Sequence, residues 1–378
     1  MLEDFLECPK LRPGIKIYKE EDSNKVHFIF TTKSLHKVFE VSPPVLKLLT
    51  LLNHHFSYKQ LYEKVKSEFP QFTNYEYHDV MNELLRERII EELNDQARKS
   101  FNEKEQIRYN RQVNFWNDFS SEYSISSWQV QENIKNATVT VLGTGGTGSW
   151  IIQSLVMAGI GNIILIDFDT IELHNLTRQT LYFTEDIGKL KTQVLVKRIK
   201  EINPNVKVKT FNVELKNDTQ LKKFFDGSDL VINCTDSPDI NTTSSWVSDA
   251  CMALNIPHIV GGGYNGHVGM IGPSIIPYQT ACWNCYTIDY NEKAETGEKL
   301  SYVAGDSKFS GAIASLSAIV ANIQAWDALR IIGKIGDPLL ANKKGELYFD
   351  DLRITWTDIN QKNNCKWCSQ KKGGTQNA

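Results

Sequence analysis

Residues 137–167, "ATVTVLGTGGTGSWIIQSLVMAGIGNIILID", decide the fold. The opening "ATVTVLG" is apolar and β-branched and reads as a strand. Gly143, Gly145 and Gly148 then satisfy GxGxxG, with Gly146 inside the same loop. The apolar run "SWIIQSLVMAG" follows directly and reads as a helix. Glycines permit a tight turn and close approach of backbone to phosphate, and the helix N-terminus favours an anion. "NIILID" is the next strand and ends on Asp167, 19 residues beyond Gly148. An acid there is placed to hydrogen-bond a ribose hydroxyl. GxGxxG by itself is a weak signal. The strand–turn–helix–strand–Asp context is what specifies a nucleotide, and its default reading is an NAD dehydrogenase.

The residues downstream favour ATP instead. "NLTRQ" supplies Asn175, Arg178 and Gln179, and "GKLK" supplies Lys189 and Lys191. Taken singly, Arg178 or Lys191 would read as a solvated surface charge. Together, cations and amide donors beside a glycine loop suit a triphosphate better than a diphosphate. Beyond them "KTQVLVKRIKEIN" reads as a helix, and "VKVKTFNV", "DLVINCTD" and "IPHIVGGG" read as strands. Residues 136–370 therefore predict an α/β, Rossmann-like, doubly wound and mostly parallel sheet. Asp236, after the strand in "NCTD", is well placed for a metal.

Seven cysteines are an odd number, and four of them form Cys282-Trp-Asn-Cys285 and Cys365-Lys-Trp-Cys368. One CxxC could be redox-active. Two pairs converge readily on one tetrahedral Zn²⁺, here a structural one that ties the chain end back to the domain. Cys234 and Cys251 lie in apolar contexts and read as core packing.

Upstream, residues 1–93 form a separate small unit. "GIKIYKE", "KVHFIFTT" and "HKVFEV" read as three strands, followed by an apolar helix after Ser42-Pro43-Pro44. Ser57 with Gln60, and Thr73 with Glu76, have capping-box spacing and open two more helices. This α+β pattern is winged-helix-like. The third helix carries Asp79, Glu83, Arg86, Glu87 and Arg88, a mixed face without the footprint of a nucleic-acid binder. Residues 94–135 read as a connecting arm, residues 286–312 as a substrate loop, and residues 371–378 as a disordered tail.

Composition agrees with an ordinary globular chain. Of 378 residues, 41% are hydrophobic and 23% charged, with a net charge of −3. No apolar run reaches the ~20 residues of a membrane span. "MLEDFLECPK" lacks a signal-peptide pattern, so a cytoplasmic protein is expected, with no membrane and no nucleic acid among its partners.

"RYNRQ" at 108–112, "GTGGTG", "LIDFD", "NLTRQ", "GKLKT", "INCTD" and the late CxxC pairs resemble the ThiF/MoeB/ubiquitin-activating superfamily. In that family ATP activates a carboxylate as an acyl-adenylate and pyrophosphate leaves. The resemblance implies Asp167 and Asp169 on the nucleoside side, Asn175, Arg178, Gln179 and Lys191 on the phosphates, and Mg²⁺ on Asp236. It implies that Arg111 reaches the partner's phosphates in a homodimer, and that the four cysteines hold structural zinc. Ubiquitin-type members carry a thioester-forming cysteine after the first zinc pair, and this chain has none between Cys285 and Cys365.

The N-terminal pattern resembles the PqqD-like element that binds the leader of a ribosomal precursor peptide as an added strand, here along residues 37–41. A dimerisation prop is the alternative for this unit. The combination is similar to MccB-type (microcin-modifying) and PaaA-type peptide-modifying enzymes. It implies ATP-dependent activation of a carboxyl or amide group on a ribosomal peptide. The rivals are a sulfur-carrier adenylyltransferase of MoeB/ThiF type and a leader-binding partner without chemistry.

Overall fold

The computed structural model describes residues 7–31, 34–92, 96–120, 125–215, 218–295 and 311–369. The chain divides into two compact units, Met1–Glu132 and Asn133–Ala378.

The first unit begins with β1 (Pro9–Leu11), β2 (Ile15–Lys19), β3 (Lys25–Phe30) and β4 (Leu35–Glu40). Helices α1 (Pro43–Leu51), α2 (Tyr58–Glu68) and α3 (Asn74–Arg86) follow, then β5 (Ile90–Glu92) and α4 (Glu103–Ser120), and α5 (Ser127–Asn136) begins in this unit and ends in the next. Both expected capping boxes are formed, Ser57 with Gln60 and Thr73 with Glu76. Each satisfies two main-chain N–H groups that a helix start otherwise leaves unpaired. Strand β3 alternates, with Val26, Phe28 and Phe30 buried. That face packs on Leu48, Leu61, Tyr77 and Met81 of the helices, which makes one small core.

Strands β2, β3 and β4 form an antiparallel sheet in that order, so β4 is an edge. Val41 N–H donates to Asn24 O at 2.9 Å, just beyond the ladder that pairs Val26 with Phe39. Hydrogen-bonded and non-hydrogen-bonded pairs alternate along such a ladder. Lys37 and Phe39 therefore bond to β3, and the main-chain groups of Val38 and Glu40 face the open edge. The short β1–β5 ladder is antiparallel and joins the two ends of the module. Three-residue strands carry no readable periodicity, so neither was expected.

The second unit contains β6 (Thr138–Leu142), α6 (Gly146–Ala158), β7 (Asn162–Ile166), α7 (Lys191–Ile202), β8 (Lys207–Phe211), α8 (Asp218–Phe225), β9 (Leu230–Asn233) and α9 (Ile240–Leu254). It continues with β10 (His258–Ile259), β11 (Gly263–Asn265), β12 (Val268–Ile271), β13 (Ser274–Ile275), α10 (Trp283–Glu295), α11 (Ala314–Gly333), β14 (Lys343–Tyr348) and β15 (Arg353–Asp358). The main sheet has the order β13-β10-β9-β6-β7-β8. Every pair in it is parallel except β13 with β10, which is antiparallel. The fold is thus the expected Rossmann-like α/β sheet. Strand order reverses at β6, with β7 on one side and β9 on the other, where open α/β sheets bind ligands.

Two features depart from the sequence reading. Strands β11, β12, β14 and β15 form a separate four-stranded antiparallel sheet that periodicity did not reveal. Its strands include "GYN" and "KKGELY", too short, glycine-containing or polar to signal strand. The expected loop over 286–312 begins instead as helix α10, which continues to Glu295, and residues 296–310 lie outside the described residues. The expected disordered tail lies outside them as well. Among the described residues no helix is long and apolar enough to cross a membrane.

Candidate active site

The turn between β6 and α6 is made of glycine for steric reasons. Gly143 has φ +77°, and a Cβ there would sit 2.7 Å from the carbonyl carbon of Cys234, the residue after neighbouring β9. A Cβ on Gly148 would sit 2.0 Å from Gly143 O, so this glycine lets helix and turn close on each other. A Cβ on Gly146 would sit 2.0 Å from the Tyr264 hydroxyl. Gly145 caps α6 without a side chain. Main-chain N–H groups at this helix start are left free to meet an anion.

A cavity of about 690 Å³ opens on this turn. Gly143, Gly145, Gly146, Asp167, Asp169, Asn175, Arg178, Gln179, Lys191 and Asp236 all line it. Of the glycines expected there, Gly148 does not line the cavity and acts through packing instead.

Asp167, at the end of β7, is nearly buried. Its Oδ2 accepts from Thr144 N at 2.7 Å and Thr144 Oγ1 at 2.8 Å, and its Oδ1 accepts from Asp169 N at 2.8 Å. A carboxylate offers about four acceptor sites, so one remains on Oδ1. Tyr182 donates its hydroxyl to Thr144 O at 3.0 Å and holds the turn from below. Burial pushes the Tyr182 pKa well above the usual phenol range, so it stays a donor.

Lys191 Nζ reaches Asp169 Oδ2 at 2.7 Å, and two of its three N–H groups remain for other acceptors. Asn175 Oδ1 accepts from Glu172 N at 3.0 Å, which fixes the short helical turn before Arg178. Arg178 Nε donates to Tyr264 Oη at 3.0 Å, and its Nη1 donates to His174 O at 3.0 Å. Gln179 is 5% exposed, and its Oε1 is buried with no hydrogen-bond partner among the described residues. A buried unpaired amide oxygen beside a cavity is costly alone and calls for a donor from a ligand.

Asp236 is exposed beyond the end of β9 and makes no hydrogen bond or ion pair among the described residues. Asp239, three residues on, is occupied: it caps α9 by accepting from Asn241 N and Thr242 N, both at 2.9 Å. The hydrogen bond from the Thr242 hydroxyl, followed by those two main-chain bonds, holds its pKa below the usual carboxylate range. Of these two acids, Asp236 is the one without a partner among the described residues. Cys234 borders the same cavity, and burial pushes its thiol up to about 12, which keeps it protonated at neutral pH. Cys251 is fully buried in the core, as its apolar context indicated.

Arg111 is exposed on α4 of the first unit and is not among the residues lining this cavity. Tyr264, Thr144 and Tyr182 were not singled out in the sequence. Thr144 sits inside the glycine motif and was legible there. Tyr264 gave no local signal, because it comes from β11, 86 residues after Arg178 in the chain.

The four late cysteines come together. Their sulfurs all lie within 4.8 Å of one another, with 282–365 at 3.4 Å, 285–368 at 3.6 Å and 282–285 at 3.9 Å. Four ligands at about 2.3 Å around one tetrahedral centre stand about 3.8 Å apart, so the set fits such an ion. All four are buried against Trp283 and Ile359 in the core of the unit. The cluster could hold a metal ion.

The first unit has a smaller cavity of its own, about 290 Å³, between β4 and α3. Phe28, Phe39, Val41, Leu49, Val80 and Leu84 line it, with Glu40, Glu83 and Glu87 at its polar positions. Lys37 pairs with Glu87 and ties the edge strand to the end of α3.

The sequence profile of the ThiF family matches residues 109–370. The molybdopterin-synthase adenylyltransferase of Escherichia coli is 29% identical over 273 residues, which are 71% of this chain and 98% of that protein. The crystal structure of E. coli MccB with AMPCPP and MccA superposes with a TM-score of 0.71 at 25% identity, covering 96% of this chain and 99% of MccB. PaaA superposes with a TM-score of 0.71 at 22% identity over 92% of this chain and 99% of its own, a likeness of fold.

Proposed function

The chain belongs to the ThiF family and is an adenylyltransferase of the ThiF/MoeB superfamily, and on that premise we propose that it uses ATP to activate a carboxyl or amide group on a ribosomally made peptide. One observation carries the peptide reading. The molybdopterin-synthase relative is spanned almost whole by 71% of this chain, whereas MccB, solved with MccA, is matched over 96%, N-terminal unit included.

In this reading the glycine turn and the start of α6 receive phosphate, and the remaining Oδ1 acceptor of Asp167 takes a ribose hydroxyl. Arg178, Lys191 and the side-chain NH2 groups of Gln179 and Asn175 donate to the triphosphate. Mg²⁺ bound with ATP would neutralise charge that develops on the phosphates, and Asp236 would hold it. A peptide oxygen attacks the α-phosphorus, and the bond to pyrophosphate breaks. The cations supply their stabilisation where that charge forms. Arg111 would complete the site of the second subunit in a homodimer. The four cysteines would hold structural zinc as thiolates, in a reducing cytoplasm that keeps them from oxidising to disulfides.

The cavity beside β4 would hold the peptide away from the reacting end. An extended segment would pair with the main-chain groups of Val38 and Glu40 and place alternate side chains against Phe39, Val80 and Leu84. A sulfur-carrier substrate is the second reading, favoured by the names of the sequence relatives. The decisive experiment is ATP–pyrophosphate exchange. Peptides encoded beside the gene are compared with a carrier protein ending in Gly-Gly. Exchange with a peptide supports the proposal, and exchange with the carrier alone replaces it with the second reading.

A further inference from the structure

We infer that Tyr264 is a positioning residue for Arg178, an inference that rests on the reading of this cavity as the ATP site. Three elements distant in sequence meet at its hydroxyl: β11, the start of α6 and the turn that carries Arg178. The hydroxyl oxygen accepts from Arg178 Nε at 3.0 Å, while Arg178 Nη1 donates to His174 O at 3.0 Å. The main chain of Arg178 is also held, since its carbonyl accepts from Trp150 Nε1 at 3.1 Å. Two sides of a planar guanidinium are thereby fixed, and Nη2 makes no hydrogen bond among the described residues. A fork held on two sides keeps its remaining donors in one direction at little further entropic cost.

The phenol itself is held by packing. Its ring lies against the cluster that Ile271 and Leu347 of the antiparallel sheet form with Leu316 and Val320 of α11. The oxygen occupies the space beside the Gly146 Cα, where a Cβ would stand 2.0 Å from it and 2.9 Å from Cζ. Gly146 is thus required by the phenol as well as by the phosphate loop.

The test is direct binding of ATP and of AMP to the full chain, by calorimetric titration, for wild type, Tyr264→Phe, Arg178→Ala and the double variant. Tyr264→Phe keeps the ring and removes only the oxygen, and its melting temperature should match wild type. Each single variant should weaken ATP binding about 10-fold, the scale of one charged hydrogen bond, and leave AMP binding nearly unchanged. The double variant should bind ATP no more weakly than Arg178→Ala, because Tyr264 acts through that side chain. Wild-type ATP affinity in Arg178→Ala would overturn the reading of Arg178 itself. Weak binding in Arg178→Ala with wild-type affinity in Tyr264→Phe would overturn the role of Tyr264 alone. Additive losses would make Tyr264 an independent contact and overturn the positioning role.

Discussion

The ammonium of Lys191 lies 2.7 Å from Asp169 Oδ2, and the lysine side chain is 5% exposed while that of Asp169 is 48% exposed. The buried cation is therefore neutralised from the cavity side by an acid that water still reaches. A phosphate entering the cavity finds a positive charge already desolvated and already aimed. Lys191→Ala should weaken ATP binding ~10-fold or more, the scale of a hydrogen bond to a charged group. The melting temperature should change little, because the acid left behind stays solvated. Calorimetric titration checks both, and undiminished ATP affinity would remove Lys191 from the site.

Asp236 has no hydrogen-bond or ion-pair partner among the described residues, so its loss should be felt only in chemistry. Asp236→Ala should lower adenylylation ~10²-fold, the usual cost of one electrostatic stabiliser, with folding intact. Steady-state rates across Mg²⁺ concentrations give the answer. A variant as active as wild type would leave the cation to other residues.

Elemental analysis should find about one zinc per chain, matching the single four-sulfur cluster among the described residues. Binding energy of a structural metal is folding energy. Cys282→Ser should therefore lower the melting temperature, and a strong chelator should do the same to wild type. Metal-free protein that melts as the native preparation does would reject the site.

On the edge strand the ladder register separates two proline variants. Val38→Pro removes an N–H that faces the open edge, so it should raise the peptide KM and leave ATP binding alone. Phe39→Pro removes an N–H bonded to β3 and should instead destabilise the first unit. Peptide and ATP titrations together with melting curves distinguish the two. Normal peptide affinity in Val38→Pro would argue against strand addition at β4.

His258 is fully buried, and burial pushes its pKa down to about 4. Its Nδ1 lies 2.9 Å from Ile256 O, which can only accept, so the neutral ring carries its proton on Nδ1 and accepts from Ser248 through Nε2 at 3.0 Å. Unfolded histidine titrates near 6.5, so between that value and about 4 the unfolded chain binds the extra proton and the folded one does not. Stability should therefore be full above pH 6.5 and fall as pH drops toward 4, by on the order of 3 kcal/mol. Urea midpoints across this range should show the loss in wild type and a smaller one in His258→Gln. Equal slopes in both would place the proton uptake elsewhere.

The strand, glycine turn and acid that border the cavity were legible because their signals are local. Gly143 to Asp167 is one strand, turn, helix and strand, and each residue type there answers to a backbone or charge requirement within a few positions. The same holds for the capping boxes at Ser57 and Thr73 and for the CxxC spacing. Motif order also brought out Arg178, Lys191 and Asp236, which now line one cavity. The tertiary structure alone decided which of two nearby acids is free, since Asp239 is consumed by its helix cap and Asp236 is not. It alone brought Tyr264 to Arg178 and Gly146, and it alone showed which N–H groups of β4 face outward. Tyr264 stands 86 residues from Arg178 and, by position, 118 from Gly146, a separation at which no periodicity or spacing in the sequence carries a signal, and the outward N–H groups of β4 follow from its hydrogen-bond register with β3, which side-chain alternation alone does not give.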